Sequence, residues 1–456
     1  MKPADAFSSK PGQRYVYSGY RAKWQIVENG KNGLCKMIPD AHLIKKGDAS
    51  YLKKVNETRL LYIIYKEGPV SRVDLSREAS MSKAAVSEII NRLYNAGMLL
   101  EAGKGQSTSK GGKRPTLIRL NPDRGYVFGL EIKRSETIVA LANIDGDLLN
   151  TSVIEYEAGS PISTILQRII REMENVLALK KISHDKLIAI GIGAPGQINY
   201  FEGNLLVADT LKNWAHEPIS GVFQETFHVP VILENDVNTI ALGEYLYGVG
   251  KDEKDLVCIA ISDGIGAGII HNQTLVKGVQ GAAGEIGYIE YVRSVDRPLK
   301  YICNGHIIYG DILSEKNLFS AFQLSVSPGK KEPFKRSRLA EYLAMAESGN
   351  PLVCRVLDEY AYVLGSLCLN LQKTLNPGVI VLNGFVIENS PYLLKRVHHE
   401  VEESLKNIPL TFRSKITVGE LKIEAGLRGA VVMALQTLFN PNQENPFLER
   451  LASSVT

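Results

Sequence analysis

Between Val55 and Gly68 apolar residues recur with a helical period: VNETRLLYIIYKEG places Leu60, Leu61, Ile63 and Ile64 on one broad face, ending at Gly68-Pro69. Ser71 and Asp74 in SRVD then form a capping-box-like start for a short helix that carries Val73, Leu75 and Ala79 inward. ASMS turns the chain. Ser82 caps a third helix, KAAVSEIINRLYNAG, which buries Val86, Ile89, Ile90 and Leu93 and stops at Gly97. Helix, short helix, four-residue turn and longer helix is the helix-turn-helix plan, with the last helix in the major groove of DNA.

That last helix opens with Ser82, Lys83, Ala84, Ala85 and Ser87, which are small or polar as close approach to base edges requires. A plain three-helix bundle would share the same core. The next stretch, MLLEAGKGQSTSKGGKRPTLIRL, reads as an apolar strand, a Gly/Ser/Lys-rich tip and a returning strand at 116–120. Its tip carries Lys104, Lys110, Lys113 and Arg114 with no acid between them, which suits a wing lying along phosphates; a structureless linker is the alternative. Candidate DNA contacts are therefore Ser71, Arg72, Ser82, Lys83, Ala84, Ala85, Ser87, Asn91, Arg92, Lys110, Lys113 and Arg114.

From about Gly125 the texture becomes alternating strands and helices. GLEIKRSETIVALANIDGDLL, residues 129–149, reads as a strand, a tight turn and a second strand closing on Asp145-Gly146. PISTILQRIIREMENVLALK is an amphipathic helix, and KLIAIGIGAPGQIN a buried strand running into a Gly-Pro-Gly loop. VPVILENDVNTIALGEYLYG delivers Glu234-Asn235-Asp236 from another buried strand to the start of a helix. DLVCIAISDGIGAGIIHNQTLV is a Gly-rich hairpin.

Length and charge sharpen this picture. A chain of 456 residues has room for two or three domains, and 45% hydrophobic with 22% charged residues is ordinary for a globular protein. The net charge of +4 hides an asymmetry: residues 1–119 hold 22 Lys and Arg against 10 Asp and Glu, the remainder 31 against 39. A basic front on an acidic body predicts a polyanion-binding module fused to something else. The five cysteines, at 35, 258, 303, 354 and 368, form no CxxC or CxC pair, which argues for a reducing cytoplasm and against a disulfide framework or zinc knuckle. No apolar run reaches the ~20 residues of a membrane span, and the N-terminus has no apolar signal core. Residues 1–50 are rich in Tyr, Lys and Gly. They could form a short hairpin at Asn29-Gly30 or Asn32-Gly33, or a partner-dependent extension.

GIGAPG, ENDVNTIALGE, GIGAGII and GVQGAAGEIGY occur in an order and at distances that resemble the ROK family of repressors, open reading frames and kinases. GPVSRVDL, SKAAVSEIINRL and GGKRPTLIRLNPDRGYVFGLEI look like its repressor branch, and the resemblance covers roughly residues 52–440. It implies an α/β chain with an N-terminal winged helix-turn-helix and a two-lobed actin-like domain of the ribonuclease H-like, sugar-kinase type, assembled as a homodimer or homotetramer. The expected division is an extension over 1–50, a winged helix over 51–120, lobe 1 over 121–235 and lobe 2 over 236–456, with a C-terminal helix returning to lobe 1.

The resemblance also assigns chemistry. Asn235 and Asp236 match the pair that grips sugar hydroxyls, with Asp236 in the place of the kinases' general base; an ordinary helix N-cap is the alternative. Glu285, beside Gly284, matches a carboxylate that accepts two sugar hydroxyl bonds, while Gly193, Pro195 and Gly196 match a loop closing the site. Where the family has the His of a His-plus-three-Cys zinc site, this chain has Tyr288, a pocket residue or a core tyrosine. Downstream only Cys303 and His306 remain, so no zinc is expected.

In the kinases the first hairpin grips ATP with Asp, Gly and a small hydroxyl; here stand Glu131, Lys133 and Ser135. Asp263 occupies the second phosphate turn, and only Gly384 of a glycine pair survives near the adenine end. ATP is therefore not expected as a cofactor. These readings converge on a cytoplasmic, sugar-responsive regulator, by preference a repressor, with double-stranded operator DNA and a monosaccharide as partners and no catalytic residues. The alternatives are a sugar kinase and a sugar-blind DNA-binding regulator.

Overall fold

The computed structural model describes residues 24–26, 37–39, 49–106, 114–200, 202–208, 211–292, 297–303, 305–329, 332–406, 408, 413–441 and 446–453. Residues 1–48 form one unit and 49–456 a second. In the first, β1 (Trp24–Ile26) pairs antiparallel with β2 (Met37–Pro39). Residues 27–36, where the Asn-Gly pairs fall, lie outside the described residues.

The second unit begins with a winged helix: α1 (Ala49–Glu67), β3 (Val70–Ser71), α2 (Arg72–Glu78), α3 (Lys83–Asn95), β4 (Leu99–Lys104) and β5 (Thr116–Leu120). Ser71 and Ser82 are the two N-caps, accepting from the backbone N–H of Asp74 and Ala85, both at 3.2 Å. Leu60, Leu61, Ile64, Leu75, Val86, Ile89, Ile90 and Leu93 form the core. Val73, expected inward, is 53% exposed. Leu75 and Ala79, four apart, already hold α2's buried face, and Val73 lies on its far side. The strand β3, which the pattern did not predict, adds to β5 to make a three-stranded wing sheet in the order β3-β5-β4.

Two α/β lobes follow. Lobe 1 comprises β6 (Tyr126–Ile132), β7 (Glu136–Asn143), β8 (Leu148–Glu155), α4 (Ile162–Lys180), β9 (Leu187–Ala194), the hairpin β10 (Gln197–Asn199) and β11 (Asn204–Val207), α5 (Ile219–Phe227) and β12 (Val231–Asn235). α6 (Asp236–Leu246) leads across to lobe 2, with β13 (Leu256–Ile261), β14 (Ile265–His271), β15 (Thr274–Leu275), α7 (Tyr309–Ile312), α8 (Glu315–Val326), α9 (Arg336–Glu347), α10 (Pro351–Leu375), β16 (Val379–Asn383), α11 (Phe385–Glu388), α12 (Pro391–Leu405) and β17 (Lys415–Val418). α13 (Ala425–Gln436) and α14 (Pro446–Ser453) end the chain's described part.

The sheets run β8-β7-β6-β9-β12 and β15-β14-β13-β16-β17. Each is three antiparallel strands continued by two parallel ones, so one plan occurs twice, as in actin-like folds. Residues 129–149 thus hold three strands' worth of hairpin: β6, a turn at 133–135, β7, and the turn at 144–147 into β8.

The connecting helices are exchanged. α6 follows the last strand of lobe 1 yet lies on the sheet of lobe 2, where Gly268 admits Ala241. α13 follows the last strand of lobe 2 and lies on lobe 1, where a Cβ on Gly191 would stand 2.0 Å from the Ala430 carbonyl oxygen. The two helices cross so closely that a Cβ on Gly429 would meet the Thr239 carbonyl oxygen at 1.8 Å. Relative motion of the lobes has to pass through this crossing.

Candidate functional site

Strand β12 runs parallel to β9, and the two end together with Asn235 beside Ala194. Pro195 and Gly196 therefore emerge next to the start of α6, whereas Gly193, expected in the same loop, still belongs to β9. Asn235 is the helix N-cap: its Oδ1 accepts from the N–H of Val237 at 2.9 Å and of Asn238 at 3.3 Å. Its Nδ2 donates to the Gly196 carbonyl at 3.0 Å, so one amide both caps α6 and holds the loop. Gly196 sits at φ +124° against the Val207 carbonyl, and Gly193 lies against the Thr239 side chain. Gly284 is at φ +91°, and a Cβ there would stand 1.8 Å from the Ala267 carbonyl oxygen. Backbone contact with β14 accounts for this glycine.

Asp236 opens α6, half-buried. Burial pushes its carboxyl up to about 6, with the Val237 N–H opposing, the Glu285 charge adding and Lys133 opposing. Burial likewise pushes Glu131 up to about 7, against Lys133 and helped by the Asp236 charge. Asp236 therefore feels the charges of Glu285 and Lys133, and Lys133 pairs with Glu131 at 3.6 Å. Glu285 is exposed, and Tyr288 is 65% exposed, which excludes a core tyrosine there.

One residue of the site carried no role in the sequence reading. Glu234, fully buried, accepts from Tyr200 Oη at 2.6 Å, Asn238 Nδ2 at 3.0 Å and the Asn235 N–H at 3.0 Å. Lys277 of lobe 2 completes the arrangement at 2.6 Å and lies 4.2 Å from the centre of the Tyr200 ring. The signal was available: an acid closing a buried strand needs a cation, though the sequence does not say which.

On the winged helix, Ser82, Lys83, Ala84 and Asn91 are exposed along α3, with Ala85 and Ser87 half-buried beside them. Glu88 is exposed between them and escaped the reading. Arg72 donates to Asn91 Oδ1 at 2.9 Å, joining two predicted contacts. Arg92 instead pairs with Glu57 on α1, and Ser71 is 2% exposed, spent on capping. Arg114 is exposed at the wing; Lys110 and Lys113 lie outside the described residues.

The two turns that would grip nucleotide phosphates face each other. Asp263 of the β13–β14 turn pairs with Arg134 of the β6–β7 turn at 3.5 Å and with Lys316 at 3.1 Å. The 133–135 turn is braced by Tyr156, whose hydroxyl donates to the carbonyls of Lys133 and Glu136 at 2.8 Å. Among the described residues no group of three or more His, Cys, Asp or Glu is placed to hold a metal ion. Cys303 is buried, and His306 pairs with Asp311 at 3.6 Å. Among those residues no helix is long and apolar enough to cross a membrane.

This geometry has close parallels. Residues 127–437 match the model of the ROK family, and residues 54–100 that of the MarR family. The xylose repressor of Bacillus spizizenii is 30% identical over 78% of this chain and 88% of its own length. A glucokinase of Halalkalibacterium halodurans is 29% identical over 61% of this chain and 86% of its own length. A crystal structure of a ROK transcriptional regulator, a homologue of the Escherichia coli MLC protein, superposes with a TM-score of 0.71 at 21% identity, covering 88% of this chain and all of that one. With a family match over most of its length and a repressor relative at this identity, the chain belongs to the ROK family.

Proposed function

We propose that this protein is a sugar-responsive transcriptional repressor that binds operator DNA as a homodimer through α3 and the wing. The observation that carries the reading is the union, in one unit, of an exposed polar α3 face and an acidic pair, Asp236 and Glu285, near enough for the Glu285 charge to act on Asp236. Phosphate contacts from Lys83, Arg114 and the wing supply affinity, and the α3 face supplies selectivity. Asp236 and Glu285 accept hydrogen bonds from the hydroxyls of a monosaccharide, and ionised carboxylates are the strongest acceptors a side chain offers. Xylose is the first candidate, since the Bacillus spizizenii relative is a xylose repressor. Sugar changes DNA affinity because it binds the two lobe arrangements unequally.

A kinase reading draws on the glucokinase similarity. Against it stand Lys133, which replaces a backbone cradle with a side chain, and Asp263, whose pairing with Arg134 and Lys316 occupies both turns. Calorimetry with xylose and other aldoses tests the proposal: binding abolished in Asp236→Asn supports it. Silence from every sugar defeats it. Sugar phosphate formed with ATP and magnesium would favour the kinase.

A further inference from the structure

α6 has a second end. It carries Asn235 and Asp236 at its start and, 11 residues long, spans about 16 Å to its C-cap, Tyr247. The Tyr247 hydroxyl lies 3.1 Å from the Tyr65 hydroxyl of α1, in the winged helix. Tyr65 also stacks on Phe439, ring centres 5.0 Å apart, and Tyr62 meets the same ring edge-on at 5.6 Å. Phe439 closes the 3-10 turn Thr437–Phe439 that continues α13. Both exchanged helices therefore end on one face of α1, through Tyr247 and through Phe439.

α6 is well suited to carry displacement along its axis. Its middle residues, from Asn238 to Glu244, are nearly all buried. Glu244, fully buried, accepts from the N–H groups of Glu420 at 3.1 Å and Leu421 at 2.9 Å, fixing the helix to the entry of α13. Close-packed helices move as bodies between discrete arrangements rather than bending. Tyr247 itself has little room: a Cβ on Gly146 would stand 2.2 Å from its hydroxyl.

We propose that Tyr65 and Tyr247 are the positioning pair through which occupancy of the cleft is passed to the winged helix. The inference rests on the sugar-sensing reading above and deepens it. A sugar held at the start of α6 shifts that helix with its lobe, Tyr247 moves with it, and the hydrogen bond obliges α1 to follow. Coupling is reciprocal, so DNA bound at α3 alters the start of α6.

The test uses full-length protein with Tyr65→Phe, Tyr247→Phe and the double variant, and a duplex selected from a random library for tight binding. DNA affinity is measured by fluorescence anisotropy with and without xylose, and amide exchange at Val237 and Asn238 with and without DNA. Each single variant is expected to keep sugar affinity and sugar-free DNA affinity within about twofold. Each is expected to reduce the ratio of DNA affinities with and without sugar roughly three- to tenfold, with the double variant no worse than either. A ratio untouched in both variants, or a double variant whose losses add, overturns the pair. If no sugar alters DNA binding in the unmodified protein, the sensing reading fails by itself. Exchange then judges the pair: a DNA-induced change at Val237 and Asn238 that both variants lose upholds it, whereas no change, or one they keep, overturns it.

Discussion

Lys277, on the lobe 2 side of the cleft, makes a 2.6 Å ion pair with Glu234, the buried residue that precedes Asn235 at the end of lobe 1's last strand. The cleft is therefore bridged right beside its proposed sugar-binding pair. Lys277→Met would leave Glu234 without its cation. Breaking a fully buried pair costs ~3–5 kcal/mol; Lys277 keeps contact with water, so a loss of about 2 kcal/mol is expected. Urea unfolding measures it, and an unchanged midpoint would show that Tyr200 and Asn238 suffice to hold the charge.

Acidity of the cleft gives a second prediction. Burial raises the Asp236 carboxyl from the ordinary aspartate range to about 6, so the folded state favours its protonated form. Its ionisation thus weakens the fold as pH rises from about 4 through 6, and the penalty is complete above 6. Sugar binding has the opposite sign, because the carboxylate is the acceptor. Affinity should be level above about pH 7 and fall about tenfold per unit below 6. Asp236→Asn should abolish the step along with most sugar affinity, while making the protein more stable at pH 8. Calorimetry across pH checks the first part and thermal unfolding the second.

The helix crossing supplies a third. Gly429→Ala puts a Cβ 1.8 Å from the Thr239 carbonyl oxygen, where only backbone can yield. The cost should reach the top of the ~1–3 kcal/mol range for overpacking. A variant as stable as the parent would mean that α6 and α13 part readily, and would undercut α6 as a rigid element.

On the DNA face, Lys83→Ala should weaken binding to every sequence alike and lower the salt dependence by about one counterion. Asn91→Ala should act differently, changing which base is preferred at one position, by ~1–3 kcal/mol if Asn91 reads a base edge. Because Arg72 is tied to Asn91 at 2.9 Å, Arg72→Ala should reproduce part of that change. Binding to a panel of single-base variants separates the two behaviours.

How much of this was legible in the sequence differs from element to element. The caps at Ser71 and Ser82 and the α3 core of Val86, Ile89, Ile90 and Leu93 follow from local spacing, and the structure has them. The two-residue strand β3 was not legible, because its only reason is the partner β5 lying 46 residues downstream of Ser71 in the register Ser71↔Leu117, together with Val70↔Ile118. Val73 was placed inward since it is apolar; on a two-turn helix, burial is decided by angle from Leu75. Motif order singled out Asn235, which the structure has as the N-cap of α6, and proposed Asp236 and Glu285 beside it. Neither motif nor period could join Lys277 to Glu234 or Tyr65 to Tyr247, since those pairings are set by how lobes and helices meet.

In the proposed function, one chain couples sugar occupancy to DNA affinity. Fluorescence anisotropy of the full-length protein on duplex DNA from upstream of its own gene, titrated with xylose and then with its epimers, tests it most directly. The account predicts tight, salt-dependent binding that one sugar changes at least tenfold and that Asp236→Asn renders indifferent. Tight binding that no sugar alters would contradict it.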